Sequence, residues 1–218
     1  MNENMSENTR ALGFLPPLGW NSWNTFTWDI NESLIFEIAD CMVKDGYKDA
    51  GYEYLVIDDC WSLKERNENG HLVADPKKFP HGMRAVADYI HDKGLKFGMY
   101  SCAGNMTCAG YPGSYEHEFV DAETFASWDV DFLKYDYCYH SPILHGKYLY
   151  RRMGLALENC GRDILFSACS WGADETHEWI KETGASMWRS TGDIFDTWDS
   201  VKDLVAQQEK LHPYNGVG

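Results

Sequence analysis

Paired cysteine motifs are missing from this chain of 218 residues. Its seven cysteines are an odd number and none occurs as Cys-x-x-Cys, so neither a full disulfide framework nor a four-cysteine zinc site is indicated. We expect most of them to be buried thiols. The eight histidines include no His-x-His at a predicted strand end and no His-Glu-x-x-His. These absences disfavour a metal-dependent hydrolase, and no metal site is predicted.

Basic residues are also scarce. Nineteen Lys and Arg against thirty-four Asp and Glu give a net charge of −15, which repels nucleic acid and anionic membrane surfaces. No apolar run approaches the roughly 20 residues of a membrane helix. Residues Met1 to Arg10 are polar and lack the apolar segment of a signal peptide. We therefore expect a soluble protein with no nucleic-acid or membrane partner, in the cytoplasm unless a signal has been removed.

The chain shows no internal repeat, low-complexity segment or linker. Its length fits one domain or part of a larger one, and we assign a polar tail to residues 1–12 and one domain to residues 13–218. The hydrophobic fraction of 44% is sufficient for a core. Nine Trp and thirteen Tyr exceed what a core needs, and their flat faces also suit sugar rings.

Apolar runs of strand length alternate with segments of helical periodicity. Asn31 can cap the first of these helices, and Gly46 can end it. The predicted strands lie near residues 15–23, 52–57, 95–101, 131–139, 163–170 and 186–193. The later helices are predicted at 83–93, 121–128, 147–159, 174–182 and 198–210. This order predicts an α/β fold of the (β/α)8 TIM-barrel type, with about six of the eight units in this chain.

Polar side chains collect where these strands end, which is the catalytic rim of such a barrel. They are Asp58, Asp59, Tyr100, Lys134, Asp136, Ser170, Arg189 and Asp193. A single Lys-x-Asp pattern is more often a surface ion pair, but recurrence on at least four strands favours a site. Lys134 and Asp136 share one face of their strand, and the ammonium group should keep Asp136 ionised. Asp136 therefore suits a nucleophile or a charge stabiliser.

A second carboxylate, Asp193, follows another strand and suits a proton donor. Nearby Arg189 would lower its pKa unless burial or the first carboxylate raises it. A nucleophile and an acid about 5–5.5 Å apart would make a retaining glycosidase, which needs no cofactor. Asp58 and Asp59 would point to opposite faces of a regular strand, so the backbone must bend there if both are to reach a ligand.

Six motifs carry a family resemblance over nearly the whole chain. They are Pro17 to Trp23, Ile57 to Trp61, Phe79 to Gly82, Thr107 to Gly110, Leu133 to Asp136, and Trp188-Arg189 with Gly192-Asp193. In them the chain resembles glycoside hydrolase family 27, the α-galactosidase (melibiase) and α-N-acetylgalactosaminidase enzymes. The resemblance implies a retaining exo-glycosidase that acts on a small carbohydrate with a terminal α-linked galactose-type residue.

The resemblance also implies roles for single residues. Asp136 matches the nucleophile and Asp193 the acid/base. Residues matching sugar contacts are Trp20, Asp58, Asp59, Tyr100, Lys134 and Arg189. Cys108 and Cys138 match a family disulfide, whereas Cys60 and Cys169 lack the partners found in some relatives and should be free.

The substrate stays open between two sugars. Galactose-selective members usually have Glu where Ser170 stands and a bulkier residue near Ala173. Small residues at both places resemble the α-N-acetylgalactosaminidase branch, because they leave room for an N-acetyl group. Family barrels continue with two more strand–helix units and usually a β domain. We therefore expect a fragment, or a barrel closed by a partner chain such as a second copy, and an inactive sugar-binding remnant is the alternative.

Overall fold

The computed structural model describes residues 12–214, in which six strands alternate with helices. The strands are β1 Leu18–Asn21, β2 Tyr52–Val56, β3 Lys96–Cys102, β4 Phe132–Asp136, β5 Leu165–Cys169 and β6 Met187–Trp188. The helices are α1 Trp23–Phe26, α2 Glu32–Lys44, α3 Gly82–Asp92, α4 Glu118–Ser127, α5 Gly146–Asn159, α6 Thr176–Trp179 and α7 Trp198–Gln208. Short 3₁₀ turns cover Ala173–Glu175, Ile180–Glu182 and Glu209–Tyr214. The polar tail predicted for residues 1–12 falls, except for its last residue, outside the described residues.

All five strand pairings are parallel and follow the order of the sequence, from β1 to β6. The sheet curls into part of a barrel with the helices outside, as predicted, and β1 and β6 form its two edges. Because neighbouring strands run in the same direction, their carboxyl ends meet along one rim. The register places Cys102 beside Asp136 and Asp136 beside Cys169 along that rim.

The two faces of the sheet are packed differently. The large core lies between the sheet and the helices, where α3 and β3 contribute residues such as Val86, Ile90 and Phe97. A small second cluster on the inner face consists of Tyr54, Val56, Phe132 and Leu165, with Leu12 and Met187 packed against it. Side chains alternate along a strand, so Lys134 and Asp136 lie on the same inner face as Phe132. The core thus leaves the inner rim to polar residues.

Local signals in the sequence set most element boundaries correctly. The Asn31 side chain accepts a hydrogen bond from the Leu34 N–H and caps α2, as predicted. Several predicted strands were too long: β1 has four residues instead of the nine at 15–23, and β4 has five instead of the nine at 131–139. The largest excess lies at the far edge of the sheet. Strand β6 has two residues instead of the eight expected at 186–193, and it pairs only with Ser167 and Ala168 of β5. No described strand supports its other side.

The helix predicted at 174–182 is broken as well. Asp174 and Glu175 have positive φ angles of 53° and 54°. This left-handed backbone separates the 3₁₀ turn at Ala173–Glu175 from α6, which begins at Thr176. The segment is therefore a 3₁₀ turn, one α-helical turn and a second 3₁₀ turn. Across residues 12–214, the helices all fall short of the length or the apolar content that crossing a membrane would require.

Candidate functional site

Asp58 lies just beyond β2 and is the most heavily bonded carboxylate of the rim. Its Oδ2 accepts hydrogen bonds of 2.7 Å from both Lys134 Nζ and Asn21 Nδ2. The Asp58 N–H donates to Ser22 Oγ at 2.9 Å. Only 2% of Asp58 is exposed, so strands β1 and β4 supply the partners that a buried charge requires. Side chains of two strands, β1 and β4, thus converge on one carboxylate.

Lys134 does not pair with Asp136, which corrects the expectation drawn from their spacing. The ammonium group reaches across the inner face to Asp58 instead. Burial works to lower the pKa of Lys134, but the carboxylates of Asp58 and Asp136 outweigh it and raise that pKa. Lys134 therefore stays a cation at the centre of the rim, 5.1 Å from the centre of the Tyr100 ring.

Asp136, the last residue of β4, is 6% exposed and held by two donors. The Tyr137 N–H donates to its Oδ1 at 2.9 Å, and the Tyr100 hydroxyl donates to its Oδ2 at 3.1 Å. Burial raises the pKa of Asp136, and Lys134 and the Tyr137 N–H offset this only in part. The pKa of Asp136 is therefore raised, whereas Lys134 alone would lower it. The spacing of Lys134 and Asp136 in the sequence gives no information about burial.

Asp59 reaches the rim because the backbone leaves the strand before it. Strand β2 ends at Val56, and Cys60 has a positive φ of 74°, which provides the bend that the sequence required. Oδ2 of Asp59 accepts from the Ala109 N–H at 2.9 Å, and Oδ1 accepts from the Cys60 N–H at 2.7 Å. Burial raises the pKa of Asp59 despite these donors. Both acidic neighbours are therefore buried and fixed.

A disulfide between Cys108 and Cys138 ties the loop after β3 to the loop after β4, as the resemblance implied. Its Cα atoms are 5.1 Å apart, and Cys108 Sγ lies 3.5 Å from Oδ2 of Asp136. Within residues 12–214 these two sulfurs and Asp136 are the one cluster with three metal-ligating atoms, and the disulfide leaves it no thiolate. The remaining cysteines are Cys41, Cys60, Cys102, Cys160 and Cys169, all free.

Cys60 and Cys169, predicted from the sequence to be free, are both free and buried. Cys102 is the third buried thiol among the five free cysteines. Cys41 is exposed, Cys160 is half-buried, and Cys108 and Cys138 form the disulfide, so the expectation that most of the seven cysteines are buried thiols was wrong. Cys169 lies on the rim at the end of β5, 3.6 Å from Arg189 Nη1. Burial raises the pKa of the Cys169 thiol to about 12, so the thiol stays protonated near neutral pH.

Beyond β5 the rim is less enclosed. Ser170 is fully buried, and its hydroxyl is 2.7 Å from Thr176 Oγ1 instead of facing the inner rim. Ala173 is half-buried in the turn that follows. Asp193 lies in the irregular segment after β6 with 77% of its side chain exposed, and Arg189 Nη2 is 2.6 Å from its Oδ1. The structure thus pairs Asp193 with Arg189, and no hydrogen bond among the described residues joins Asp193 to Asp136.

The remaining predicted contact is Trp20, a half-buried residue of β1 whose ring centre is 6.0 Å from that of Phe26. Sequence reasoning missed Asn21 and Ser22, although both lie near the C-terminal end of the strand predicted at 15–23. Their position at that end of a strand was the signal that could have identified them. It also missed Ala109, because a backbone N–H leaves no mark on the sequence.

Comparisons with known proteins identify the relatives of this chain. The model of the family Melibiase_2, described as alpha galactosidase A, matches residues 15–218. Alpha-galactosidase A of Cellvibrio japonicus is 48% identical over 218 residues, which cover 95% of this chain and 53% of that protein. The alpha-galactosidase of Cyamopsis tetragonoloba is also 48% identical, over 95% of this chain and 50% of the relative. The chain thus spans about half the length of the curated relatives that it matches.

A solved structure of the Saccharomyces cerevisiae α-galactosidase with raffinose superimposes with a TM-score of 0.91 at 38% identity. The match covers 96% of this chain and 52% of the yeast protein. The two backbones therefore superimpose closely over nearly the whole of this chain. This chain belongs to the Melibiase_2 (alpha galactosidase A) family, which is glycoside hydrolase family 27.

Proposed function

We propose that this chain carries the catalytic rim of a retaining exo-glycosidase that hydrolyses terminal α-linked galactosides. The observation that carries the proposal is the group formed by buried Asp58, buried Asp136 and half-buried Lys134 on one inner face of a family 27 barrel. Each carboxylate has directed donors, and the Lys134 cation is bonded to Asp58. Such a fixed arrangement suits a neutral sugar whose hydroxyls exchange hydrogen bonds with charged groups.

In this mechanism Asp136 attacks the anomeric carbon, while Asp193 protonates the glycosidic oxygen and the C–O bond breaks. Water then attacks the glycosyl ester, Asp193 takes its proton, and the carboxylate of Asp136 is released. The Tyr100 hydroxyl and the Tyr137 N–H orient Asp136 for attack. No cofactor takes part, because two carboxyl groups and water supply every proton and bond.

The sugar contacts are part of the same proposal. Asp58, Asp59 and Lys134 bind sugar hydroxyls, Trp20 and Tyr100 contact the sugar, and Arg189 orients Asp193. The bonds already present around Asp58 and Asp59 keep both carboxylates fixed before the sugar arrives, which limits the ordering cost of binding.

An α-galactoside is the substrate that the comparisons favour. The curated relatives named above are α-galactosidases, and the yeast α-galactosidase was solved with raffinose. The second candidate is an α-N-acetylgalactosaminide, because the Ser170 hydroxyl is turned to Thr176 and Ala173 is small. Neither side chain extends far into the rim, so an N-acetyl group would meet little steric resistance.

The test compares p-nitrophenyl α-galactoside with p-nitrophenyl α-N-acetylgalactosaminide. Wild type and Asp136→Asn are also incubated with an activated 2-deoxy-2-fluoro galactoside, and covalent labelling is read by mass spectrometry. Turnover together with labelling that Asp136→Asn abolishes supports the proposal. Labelling that persists in Asp136→Asn excludes the nucleophile assignment. Galactose binding without turnover in wild type would mean that this chain is a sugar-binding fragment.

Location and assembly are tested separately. Disulfides persist in oxidising compartments, so the Cys108–Cys138 bond favours a chain that folds where thiols can be oxidised. The cytoplasmic location expected from residues 1–10 stays a prediction, and thiol alkylation of protein isolated from its own cells would check it. Association with a second copy also stays a prediction, which light scattering would decide.

A further inference from the structure

The segment that follows β5, residues 170–175, has an uncommon backbone, and we call it the β5–β6 loop. Four of its residues have positive φ angles: Trp171 at 60°, Gly172 at 84°, Asp174 at 53° and Glu175 at 54°. Three of them have side chains that disfavour this conformation, at a cost of about 1–3 kcal/mol each. Such a backbone persists only where surrounding contacts hold it, so the loop must be anchored.

Asp174 supplies the anchor. Its Oδ2 accepts the Tyr137 hydroxyl at 2.5 Å and the Gly146 N–H at 2.9 Å. Its backbone oxygen accepts from Trp179 Nε1 at 2.7 Å. Gly146 is the first residue of α5, where a carboxylate is favoured by the helix dipole. The loop after β5 is thereby fixed to the loop after β4.

Tyr137 connects this anchor to the proposed nucleophile. Its hydroxyl donates to Asp174 and its N–H donates to Asp136, which precedes it in the chain. The Tyr137 ring is 1% exposed and stacks on His140 at 3.8 Å between centres. An added Cβ at Gly146 would lie 2.9 Å from the Tyr137 hydroxyl, so Tyr137 packs tightly against the start of α5. Because a buried, stacked ring has little freedom to move by itself, a shift of Asp174 would also shift Tyr137 and its N–H bond to Asp136.

The same loop carries the two residues at which galactose and N-acetylgalactosamine are expected to be distinguished. Ser170 accepts a hydrogen bond from the Ala173 N–H through its backbone oxygen, at 2.9 Å. Ala173 directly precedes Asp174 and is hydrogen-bonded to Ser170, so a displacement of Asp174 would also displace Ala173 and Ser170. The packing at Gly172 also excludes a Cβ, which would collide with the Ser190 carbonyl.

We propose that Asp174 is a positioning residue that locks the β5–β6 loop onto Tyr137 and α5, and thereby sets selectivity at the sugar's 2-substituent. This selectivity role rests on the proposed glycosidase function. Asp174 does not touch the sugar. It acts by holding Ser170 and Ala173 in place while Tyr137 holds Asp136.

Hydrogen exchange tests the anchor without any need for turnover. Asp174→Ala should increase amide exchange across residues 170–176 and at Tyr137. Asp174→Asn should retain most of the protection, because both side-chain hydrogen bonds end on one oxygen that an amide can supply. Glu175→Ala is the matched control, since this neighbouring carboxylate is exposed like that of Asp174 and has a left-handed backbone too, but it accepts no hydrogen bond among the described residues and lies 3.6 Å from His177. Unchanged exchange in Asp174→Ala would overturn the proposal.

Kinetics on the two p-nitrophenyl sugars test selectivity. In Asp174→Ala, KM should rise about 5- to 20-fold with a smaller fall in kcat, because the loop contributes to binding in both ground and transition states. The ratio of the two kcat/KM values should move toward one. Tyr137→Phe should act in the same direction, and the double variant should add little, as expected for coupled partners. A purely structural role would lower both values of kcat/KM equally and leave the ratio unchanged.

The outcomes separate this inference from the proposed function. If wild type hydrolyses neither sugar, the proposed activity fails for this chain, and equilibrium binding of free galactose and N-acetylgalactosamine replaces kinetics as the selectivity readout. If wild type is active and exchange rises in Asp174→Ala without a change in the ratio, the selectivity role is wrong. If Asp174→Ala does not fold, Asp174→Asn and Tyr137→Phe decide the question by the same two measurements.

Discussion

Lys134 donates a 2.7 Å hydrogen bond to Asp58, a residue 76 positions earlier in the chain. The pair joins β4 to the end of β2 across the inner face of the sheet, and Asn21 of β1 shares the same carboxylate oxygen. This bond, more than the Lys134–Asp136 spacing in the sequence, organises the rim. It holds a cation against Asp58, and the charge of that cation also works to lower the pKa of Asp136.

Replacing Lys134 with Met should therefore destabilise the fold, because Asp58 would be left as a buried, poorly paired charge. We expect a loss of about 3–5 kcal/mol in the free energy of unfolding, measured by urea denaturation at pH 7. Lys202→Met is the control, since Lys202 and Asp199 form an ion pair with 57% and 92% of their side chains exposed. That control should lose less than about 1 kcal/mol. Equal losses in the two variants would contradict the importance of the buried pair.

Loss of the Cys108–Cys138 disulfide should weaken both the fold and the rim. The bond closes a loop with a sequence separation of 30, for which chain entropy predicts a loss of about 3–4 kcal/mol in Cys108→Ser. The next residue, Ala109, donates to Asp59, so sugar binding should also weaken. Denaturation of the oxidised protein, the reduced protein and Cys108→Ser would check this. Cys41→Ser, at an exposed free thiol, should match wild type.

Neutralising Asp136 should stabilise the protein while abolishing turnover. Burial raises the pKa of Asp136 in the folded state, so ionisation disfavours folding as pH rises from about 4, the unfolded value, through the folded pKa. Above that window wild type bears the full penalty, and below pH 4 it bears none.

Asp136→Asn should consequently melt higher than wild type at pH 7, on the order of 2–4 °C for each kcal/mol relieved. The difference should shrink as the pH falls below about 4. Melting curves across pH 3 to 8 (roughly the range that brackets the window) measure it. A variant that melts lower than wild type at pH 7 would show that the lost hydrogen-bond geometry outweighs burial.

Gly154, in the middle of α5, should resist replacement despite its helical position. Alanine normally stabilises a helix relative to glycine by about 1 kcal/mol. Here an added Cβ would collide with the backbone carbonyl of Thr183, so α5 and the turn beside it would have to separate. Gly154→Ala should therefore unfold at lower temperature than wild type. Gly192→Ala, which meets no atom within 4 Å, is the control, and its melting temperature should stay close to wild type.

The sequence by itself determined the class of fold. Hydrophobic periodicity, the Asn31 cap and the recurrence of polar residues after apolar runs are local properties, so the six units and the rim could be predicted from them. The motifs further predicted the Cys108–Cys138 bond and the family, both confirmed. The roles of Asp136, Asp193 and the sugar contacts remain predictions.

Only the tertiary structure decided which charges meet. Lys134 could have paired with Asp136 or with Asp58, and the choice depends on the curvature of the sheet and on burial, which no local window contains. The same applies to the anchor at Asp174, where a Tyr hydroxyl, a helix N-terminus and a carboxylate from three segments converge. Left-handed residues at 174 and 175 break a helix that periodicity favours, because the tertiary hydrogen bonds outweigh local propensity.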